Sequence, residues 1–461
     1  DAAINIMRRL IQAQGAEVIH LGHNRSVEDV VRAALQEDAD GIALSSYQGG
    51  HVEYLKYMVD MLKERNASHI RVFAGGGGTI TPEEIRELEA YGVERIYHPN
   101  DGMHMGLVAM IEDVVRRAEA ARHRNGGQSR LSVSGLSRAS QSGGKVDSDP
   151  HFGFDNEIQI GRMLSAIEEQ ALDEGELAHL RKQWQLAGGK TPVVGITGTG
   201  GAGKSSVTDE LLNRFLSSFP DMHIAVISVD PTRRRTGGAL LGDRIRMNSL
   251  RSKRVFMRSM ATRRQHMATN VVLKDCIGFL KSLGYDLVIV ETAGIGQSDS
   301  EIVDLVDFPM YVMTSDFGAP SQLEKIDMLD YAELVVLNKF DKRGAEDALR
   351  DVRKQWKRNR VAFQTKDEDV PVYPTIASQF NDPGISWMFA NLCRLLREKC
   401  GNRGKGGQVH FSNAEGGSGE GSGSKSEPDP LSLLVPAIDT TLREPRATVL
   451  IPGSRVRYLA E

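Results

Sequence analysis

The stretch Gly198-Thr-Gly-Gly-Ala-Gly-Lys-Ser205 constrains this chain more than any other. It reads G-x-x-x-x-G-K-S, with the apolar run Val193-Val194-Gly195-Ile196 before it and a helical pattern from Ser206 to Phe215 after it. Strand, glycine turn and helix in that order let the backbone bend until successive N–H groups converge on one point. The start of the helix adds partial positive charge there, and such a point suits a phosphate. Gly200, Gly201, Ala202 and Gly203 are expected to offer backbone, Lys204 to reach the β- and γ-phosphates, and Ser205 to ligate Mg²⁺. A bare glycine-rich turn is the bland alternative, and the two flanking elements argue against it.

Carboxylates follow at positions where a strand ends. Ile224-Ala-Val-Ile-Ser-Val-Asp230 reads as a strand closing on an acid, and Leu241-Gly-Asp243-Arg-Ile-Arg246 comes after a polar loop. Asp230 and Asp243 are candidate Mg²⁺ ligands, directly or through water, with helix or turn capping as the alternative for each. Arg246 is a candidate contact to the nucleotide phosphates. Arg233–Arg235 is either a solvated loop or a mobile switch that senses the γ-phosphate or contacts the next domain. Asp286-Leu-Val-Ile-Val-Glu-Thr-Ala-Gly294 ends in Glu291-x-x-Gly294, which fits the second metal-site motif of phosphate-loop proteins. Glu291 is expected to act on Mg²⁺ through water, and Gly294 to offer its N–H to the γ-phosphate. Gln297 is a candidate for orienting the attacking water, with a structural role as its alternative.

Base specificity is carried by Asn338-Lys339-Phe340-Asp341 after the apolar run Leu334–Leu337. A carboxylate at Asp341 accepts from N1–H and the 2-amino group of guanine, donors that adenine lacks. The Asn338 amide suits the N7 and O6 edge, and the Lys339 stem covers the ring. Ala377 and Ser378 are candidates for a last backbone contact to the base. The nucleotide expected is therefore GTP.

The N-terminal part alternates strands (16–21, 41–45, 70–74, 95–97) with helical patterns (3–11, 27–37, 52–65, 81–91, 105–121). This is the pattern of a parallel, doubly wound, flavodoxin-like sheet. Ligands of such sheets sit beyond the carboxyl ends of the strands, where Ser45-Ser-Tyr-Gln-Gly-Gly-His51 and Ala74-Gly-Gly-Gly-Gly78 lie. His20, His23 and His51 are expected to be loop or surface histidines. Residues 123–157 and 401–430 are polar and glycine- or serine-rich, and read as tethers. Amphipathic helices fill residues 158–184.

These motifs carry two resemblances. The N-terminal glycine turns resemble the cobalamin-binding domains of acyl-CoA mutases, which implies that Ser45, Gly75 and Gly76 lie along the lower nucleotide tail of adenosylcobalamin. Tyr47 stands where that family has Leu. The family's cobalt-ligating His would fall just before Asp1, so this chain is expected to be a piece truncated at its start and without that ligand. The set Gly198–Ser205, Asp230, Asp243, Glu291 and Asn338–Asp341, with Thr236-Gly-Gly and Glu291-Thr-Ala-Gly-Ile-Gly-Gln297, resembles the GTPase chaperones of cobalamin-dependent mutases. Asp316-Phe-Gly-Ala-Pro-Ser-Gln-Leu323 occupies their third switch without the usual Pro-Gly-x-Gly-Asp-Glu run.

The order of the two domains is similar to the fused isobutyryl-CoA mutase family, in which a tether then leads to an acyl-CoA-binding barrel. Thr441–Glu461 looks like the approach to that barrel. The implied plan is α/β throughout: a cobalamin domain at 1–122, a tether at 123–157, a phosphate-loop GTPase with a parallel sheet at 158–400, and a linker at 401–461. The implied partners are the mutase barrel of the same polypeptide and a second copy, because GTPases of this class pair across the nucleotide. Open alternatives are a metal-centre assembly GTPase, which would need a His- or Cys-rich segment not seen here, and a signalling GTPase with a sensor domain.

Composition limits the rest. A formal charge of −4 over 461 residues gives no global basic footprint for nucleic acid. Three cysteines suggest no disulfide framework, hence a reducing, cytoplasmic setting. No run is long and apolar enough to span a bilayer.

Overall fold

The computed structural model describes residues 2–46, 49–125, 154–189, 191–232, 236–262, 266–292, 299–400 and 434–445. In chain order the strands are β1 (Glu17–Ile19), β2 (Gly41–Ser45), β3 (Arg71–Gly75), β4 (Arg95–Tyr97), β5 (Val193–Gly198), β6 (Ile224–Pro231), β7 (Ala239–Leu241), β8 (Val255–Thr262), β9 (Leu287–Thr292), β10 (Phe308–Met313), β11 (Leu334–Leu337) and β12 (Val372–Pro374). The chain divides into two compact units that do not follow its order. One is Asp1–Gly189 with Ala225–Tyr285, and the other is Lys190–Ile224 with Asp286–Glu461.

In the first unit β2, β3 and β4 form a parallel sheet in that order, with Ser45 opposite Gly75 and Gly75 opposite Tyr97. Parallel neighbours require crossovers, and the helices His51–Glu64 and Pro82–Tyr91 supply them. The second begins where it does because Thr81 accepts from the Glu84 N–H while Glu84 accepts from the Thr81 N–H, with Pro82 at the first helical position. Val27, Val31 and Leu35 recur at one-turn spacing, as do Leu55, Met58 and Leu62, and these stripes meet Val72 and Ile96 in the core.

β1 does not join that sheet. It pairs in parallel with β7, Glu17 opposite Ala239 and Ile19 opposite Leu241, and the His20 N–H extends the ladder to Leu241 O at 2.9 Å. The alternation of the N-terminal segment predicts β1 as a member of its own domain's sheet. A strand's backbone groups must be satisfied, and here a short strand from much later in the chain does so. β7 and the helix Pro99–Met105 are too short to show a hydrophobic period.

In the second unit the parallel strands run β12-β11-β10-β5-β9. They are buried along their length, as continuous apolar runs covered on both faces must be. The helices Lys204–Ser218 and Pro383–Cys400 meet through Phe215 and Phe389, whose rings pack edge-on at 4.7 Å. Because these strands are parallel, the residues after β5, β9, β11 and β12 emerge at one edge, and the described candidate residues of this unit lie there. The α/β reading of the sequence is borne out.

Candidate nucleotide site

The turn after β5 is shaped by two crowded glycines and two open ones. Gly198 has φ +146°, and a Cβ there would fall 1.9 Å from Val312 O. Gly203 has φ +91°, and a Cβ would meet Asn338 Nδ2 at 2.6 Å. No side chain fits either place. Around Gly200 and Gly201 nothing lies within 4 Å of such a Cβ, so the outer turn presents bare backbone. The helix then starts at Lys204, and no side chain caps it. Its first N–H groups and its dipole face the turn.

Lys204 folds back over this turn, donating from Nζ to Gly198 O at 3.0 Å and Thr199 O at 3.2 Å. Ser205 Oγ donates to Glu291 Oε1 at 2.8 Å, and Thr208 Oγ1 donates to Glu291 Oε2 at 2.9 Å. All three residues are buried. Glu291 is brought there by register, since β9 runs beside β5 with Ile196 opposite Glu291. The pattern of the sequence missed Thr208, although it sits one turn along the helix from Lys204 and Ser205, a spacing that places side chains on one face.

Asn338 ties three segments together. Its Nδ2 donates to Ala202 O at 2.8 Å, and its Oδ1 accepts from the Ala377 N–H at 3.0 Å and from Thr375 Oγ1 at 3.2 Å. Its amide is thus engaged within the protein, joining the phosphate loop to the segment after β12. Lys339 has φ +57° and donates from Nζ to Gly201 O at 2.8 Å. A left-handed lysine is uncommon, and here it lays the stem along the loop. Asp341 and Ser378 are exposed at the same edge. Thr375 carried no signal in the sequence. After β10, Asp316 accepts from Lys342 Nζ at 2.9 Å and Thr314 Oγ1 at 3.0 Å, and the Lys342 ammonium holds its carboxyl below the usual range.

Asp230, Asp243 and Arg246 belong to the other unit. Asp230 closes β6. Asp243 is buried, accepts from Ser228 Oγ on β6, and lies 3.6 Å from Arg246 Nη1 across one turn of 3₁₀ helix. Arg246 is exposed. Gly294, Gln297 and Arg233–Arg235 lie outside the described residues, as do Tyr47, most of the tether and the segment 401–433.

In the N-terminal domain Ser45 ends β2 beside Gly75. A Cβ on Gly76 would fall 2.8 Å from Ser46 O and from Ile80 Cγ1, while Gly77 and Gly78 have φ +57° and +90°. Gly76 is buried, and Gly77 and Gly78 are exposed in the turn beyond β3. His51 differs from the expectation of a surface histidine: it is buried, with Nε2 3.3 Å from Glu84 Oε2. His20 is half-buried, and burial followed by Arg8 pulls its imidazole below the usual range. Among the described residues no helix is long and apolar enough to cross a membrane.

Residues 1–103 match the family model described as "B12 binding domain", and residues 160–405 match "Methylmalonyl Co-A mutase-associated GTPase MeaB". The "Fused isobutyryl-CoA mutase" of Geobacillus kaustophilus is 50% identical over 420 residues, covering 90% of this chain and 37% of that protein. Its namesake from Cupriavidus metallidurans is 48% identical over 462 residues, covering 100% of this chain and 38% of the relative. The one from Nocardia farcinica is 45% identical over 465 residues, with 100% and 38% covered. The chain thus spans well under half the length of these relatives. The phosphate loop, the buried Glu291 and the Asn338 bridge all lie within the second match, which takes in more than half of the chain. The chain belongs to the family of methylmalonyl-CoA mutase-associated GTPases of the MeaB type, and carries a B12-binding domain ahead of the GTPase region.

Proposed function

We propose that this chain binds GTP at the turn after β5 and hydrolyses it, and that hydrolysis gates the loading and protection of adenosylcobalamin. The acceptor is a mutase barrel on the same, longer polypeptide, which interconverts isobutyryl-CoA and butyryl-CoA. The observation that carries this reading is the buried Glu291 carboxylate, held by the Ser205 and Thr208 hydroxyls at the start of an uncapped helix. A buried acid beside a hydroxyl and a phosphate-sized nest of N–H groups suits a divalent cation with a polyphosphate.

In this reading Gly200, Gly201, Ala202 and Gly203 donate backbone N–H groups to the phosphates. Lys204 leaves the Gly198 and Thr199 carbonyls for the β- and γ-oxygens. Ser205 holds Mg²⁺ and Glu291 acts on it through water, while Asp230 and Asp243 remain candidate Mg²⁺ ligands, directly or through water. Bound Mg²⁺ would offset charge on the β- and γ-oxygens. Arg246 contacts phosphate, Gln297 orients water, and Asp341 selects guanine while Lys339 covers the ring. Ser45, Gly75 and Gly76 give the cofactor's tail a flat backbone bed. Adenosylcobalamin would supply the radical chemistry of the barrel. The 1–122, 123–157, 158–400 and 401–461 domain plan, the homodimer and the cytoplasmic setting belong to the same reading.

Titration with GTP, GDP and ATP analogues, with and without Mg²⁺, tests it. GTP is expected to bind at least about tenfold more tightly than ATP, from donors the wrong base lacks. Equal affinity for ATP would overturn the guanine assignment. Unchanged nucleotide-dependent cofactor loading in full-length Lys204→Ala would overturn the gating.

A further inference from the structure

Between the helix Val27–Gln36 and the segment 244–251, the first unit holds a cleft of about 40 Å³. Its lining carries four arginines, Arg25, Arg32, Arg244 and Arg251, and one acid, Asp29. Two of these positive charges are already offset. Arg32 pairs with Glu157 at 2.7 Å and donates to the Leu250, Ser252 and Val255 carbonyls. Arg244 pairs with Glu37. Arg25 and Arg251 then stand against Asp29 alone, so the cleft keeps a surplus of positive charge. Met247 and Leu250 supply apolar wall, which strengthens the field of the charges beside it.

The guanidinium forks are fixed in place with donors to spare. The Arg244 side chain is only 5% exposed. Its Nε donates to Glu37 Oε1, and its Nη2 donates to Gln36 Oε1 at 2.7 Å and to Met257 O. The two N–H groups of Nη1 find no acceptor among the described residues. Arg25 repeats this arrangement. Its Nε donates to Leu21 O at 2.8 Å and its Nη2 to Ile245 O at 3.3 Å, while Nη1 finds no acceptor among the described residues. Arg251 ends a turn of 3₁₀ helix and is exposed, and its guanidinium has no acceptor among the described residues either. The loop that carries Arg25 is pressed against the far wall, since Gly22 has φ +85° and a Cβ there would fall 2.8 Å from Ile245 Cδ1.

Donors held in so rigid a frame call for acceptors, from water or from a ligand. A volume of 40 Å³ is the room of roughly three waters, and the terminal oxygens of a phosphoryl group fill the same room. Guanidinium forks match such oxygens in plane and spacing. We propose that this cleft is a binding site for a phosphoryl group, free or at the end of a phosphate monoester, taken by Nη1 of Arg25, Nη1 of Arg244 and the Arg251 guanidinium. Bound there, the group joins the helix Val27–Gln36 to the segment 244–251 and stabilises the first unit by mass action. Every residue of the site belongs to that unit, and the site does not depend on the GTP reading.

The test is hydrogen–deuterium exchange on the intact chain with GDP and Mg²⁺ present, titrated with inorganic phosphate and, separately, with adenosine monophosphate. Peptides over residues 20–36 and 241–252 report the cleft, and a peptide over residues 198–206 reports the turn after β5, so the filling of one is read apart from the other. Protection of the first two peptides is expected to be half complete at about 1 mM or below. Stronger action of the monoester marks a carried phosphate, and equal or stronger action of inorganic phosphate marks a free one; either supports the site. Protection by neither probe overturns it, and so does equal protection by acetate or chloride at the same ionic strength. Arg251→Gln breaks no hydrogen bond to a described residue and is expected to weaken phosphate about tenfold. Asp29→Asn removes the cleft's one acid and is expected to tighten phosphate about threefold, a shift of opposite sign that a merely structural role would not give. The absence of either shift overturns the proposal.

Discussion

Ser205 Oγ and Glu291 Oε1 lie 2.8 Å apart although 86 residues separate them in the chain. The bond exists because β5 and β9 are parallel neighbours in a register that sets Ile196 opposite Glu291. It orients the one hydroxyl that the sequence assigns to Mg²⁺. Glu291→Gln is therefore expected to weaken the Mg²⁺-dependent gain in GTP affinity by about 10–100-fold, the usual loss when a group orienting a metal ligand is changed. Titration of a fluorescent GTP analogue at graded Mg²⁺ measures it. An unchanged Mg²⁺ dependence would remove Glu291 from the metal site.

Asn338 has no slack. Asn338→Ala leaves Ala202 O, the Ala377 N–H and Thr375 Oγ1 without their partner in a buried place. The expected loss is about 1–3 kcal/mol of stability, read by urea unfolding, together with weaker binding of GTP and GDP alike. Asp341 is exposed at the same edge, so Asp341→Ala is expected to spare stability and lower the preference for GTP over ATP at least about tenfold. The two variants separate a residue that builds the site from one proposed to read the base.

Gly198→Ala tests the shape of the turn. Its Cβ would stand 1.9 Å from Val312 O, on a strand paired with β5. Neither backbone can give way without breaking the ladder. A loss of roughly 1–3 kcal/mol or more is expected, seen as a lower thermal midpoint. Gly200→Ala meets nothing within 4 Å and is expected to leave the fold intact.

The thiols of Cys276 and Cys393 supply a pH test. Both are buried, and burial pushes the Cys393 thiol up to about 12 and Cys276 well above the ordinary 9.0. A raised pKa in the folded state means that the native protein holds these protons more tightly than the unfolded chain. The contribution of Cys393 to stability is whole below pH 9 and is lost as the pH rises toward 12, and that of Cys276 has the same sign. At neutral pH the thiolate is the reactive form and is scarce. Iodoacetamide with peptide mapping is expected to label neither residue in the folded chain and both after unfolding.

In the proposed reading, removing the Lys204 ammonium takes positive charge away from the phosphate loop. Lys204→Ala is expected to lower the GTPase rate by about 10²–10³-fold, measured by phosphate release. A rate within a factor of three of the wild type would reassign this lysine.

By itself the sequence determined the class of fold and marked the residues proposed to carry the chemistry. A phosphate nest needs glycines and a lysine at set spacing between a strand and a helix, and guanine selection needs an amide, a lysine and an acid just past another strand. Such requirements are met within a few consecutive residues, so Gly198–Ser205 and Asn338–Asp341 are legible without coordinates. The strand and helix alternation is equally local, because burial on both faces writes continuous apolar runs and amphipathic stripes. Only the tertiary structure decided who meets whom across the chain. It set Thr208 and Ser205 on Glu291, turned the Asn338 amide inward to Ala202 and Ala377, gave β1 its partner in β7, and closed Arg244 on Glu37. Those pairings depend on register and on the demand that buried polar groups find partners, and a one-dimensional pattern holds no record of which distant partner answers.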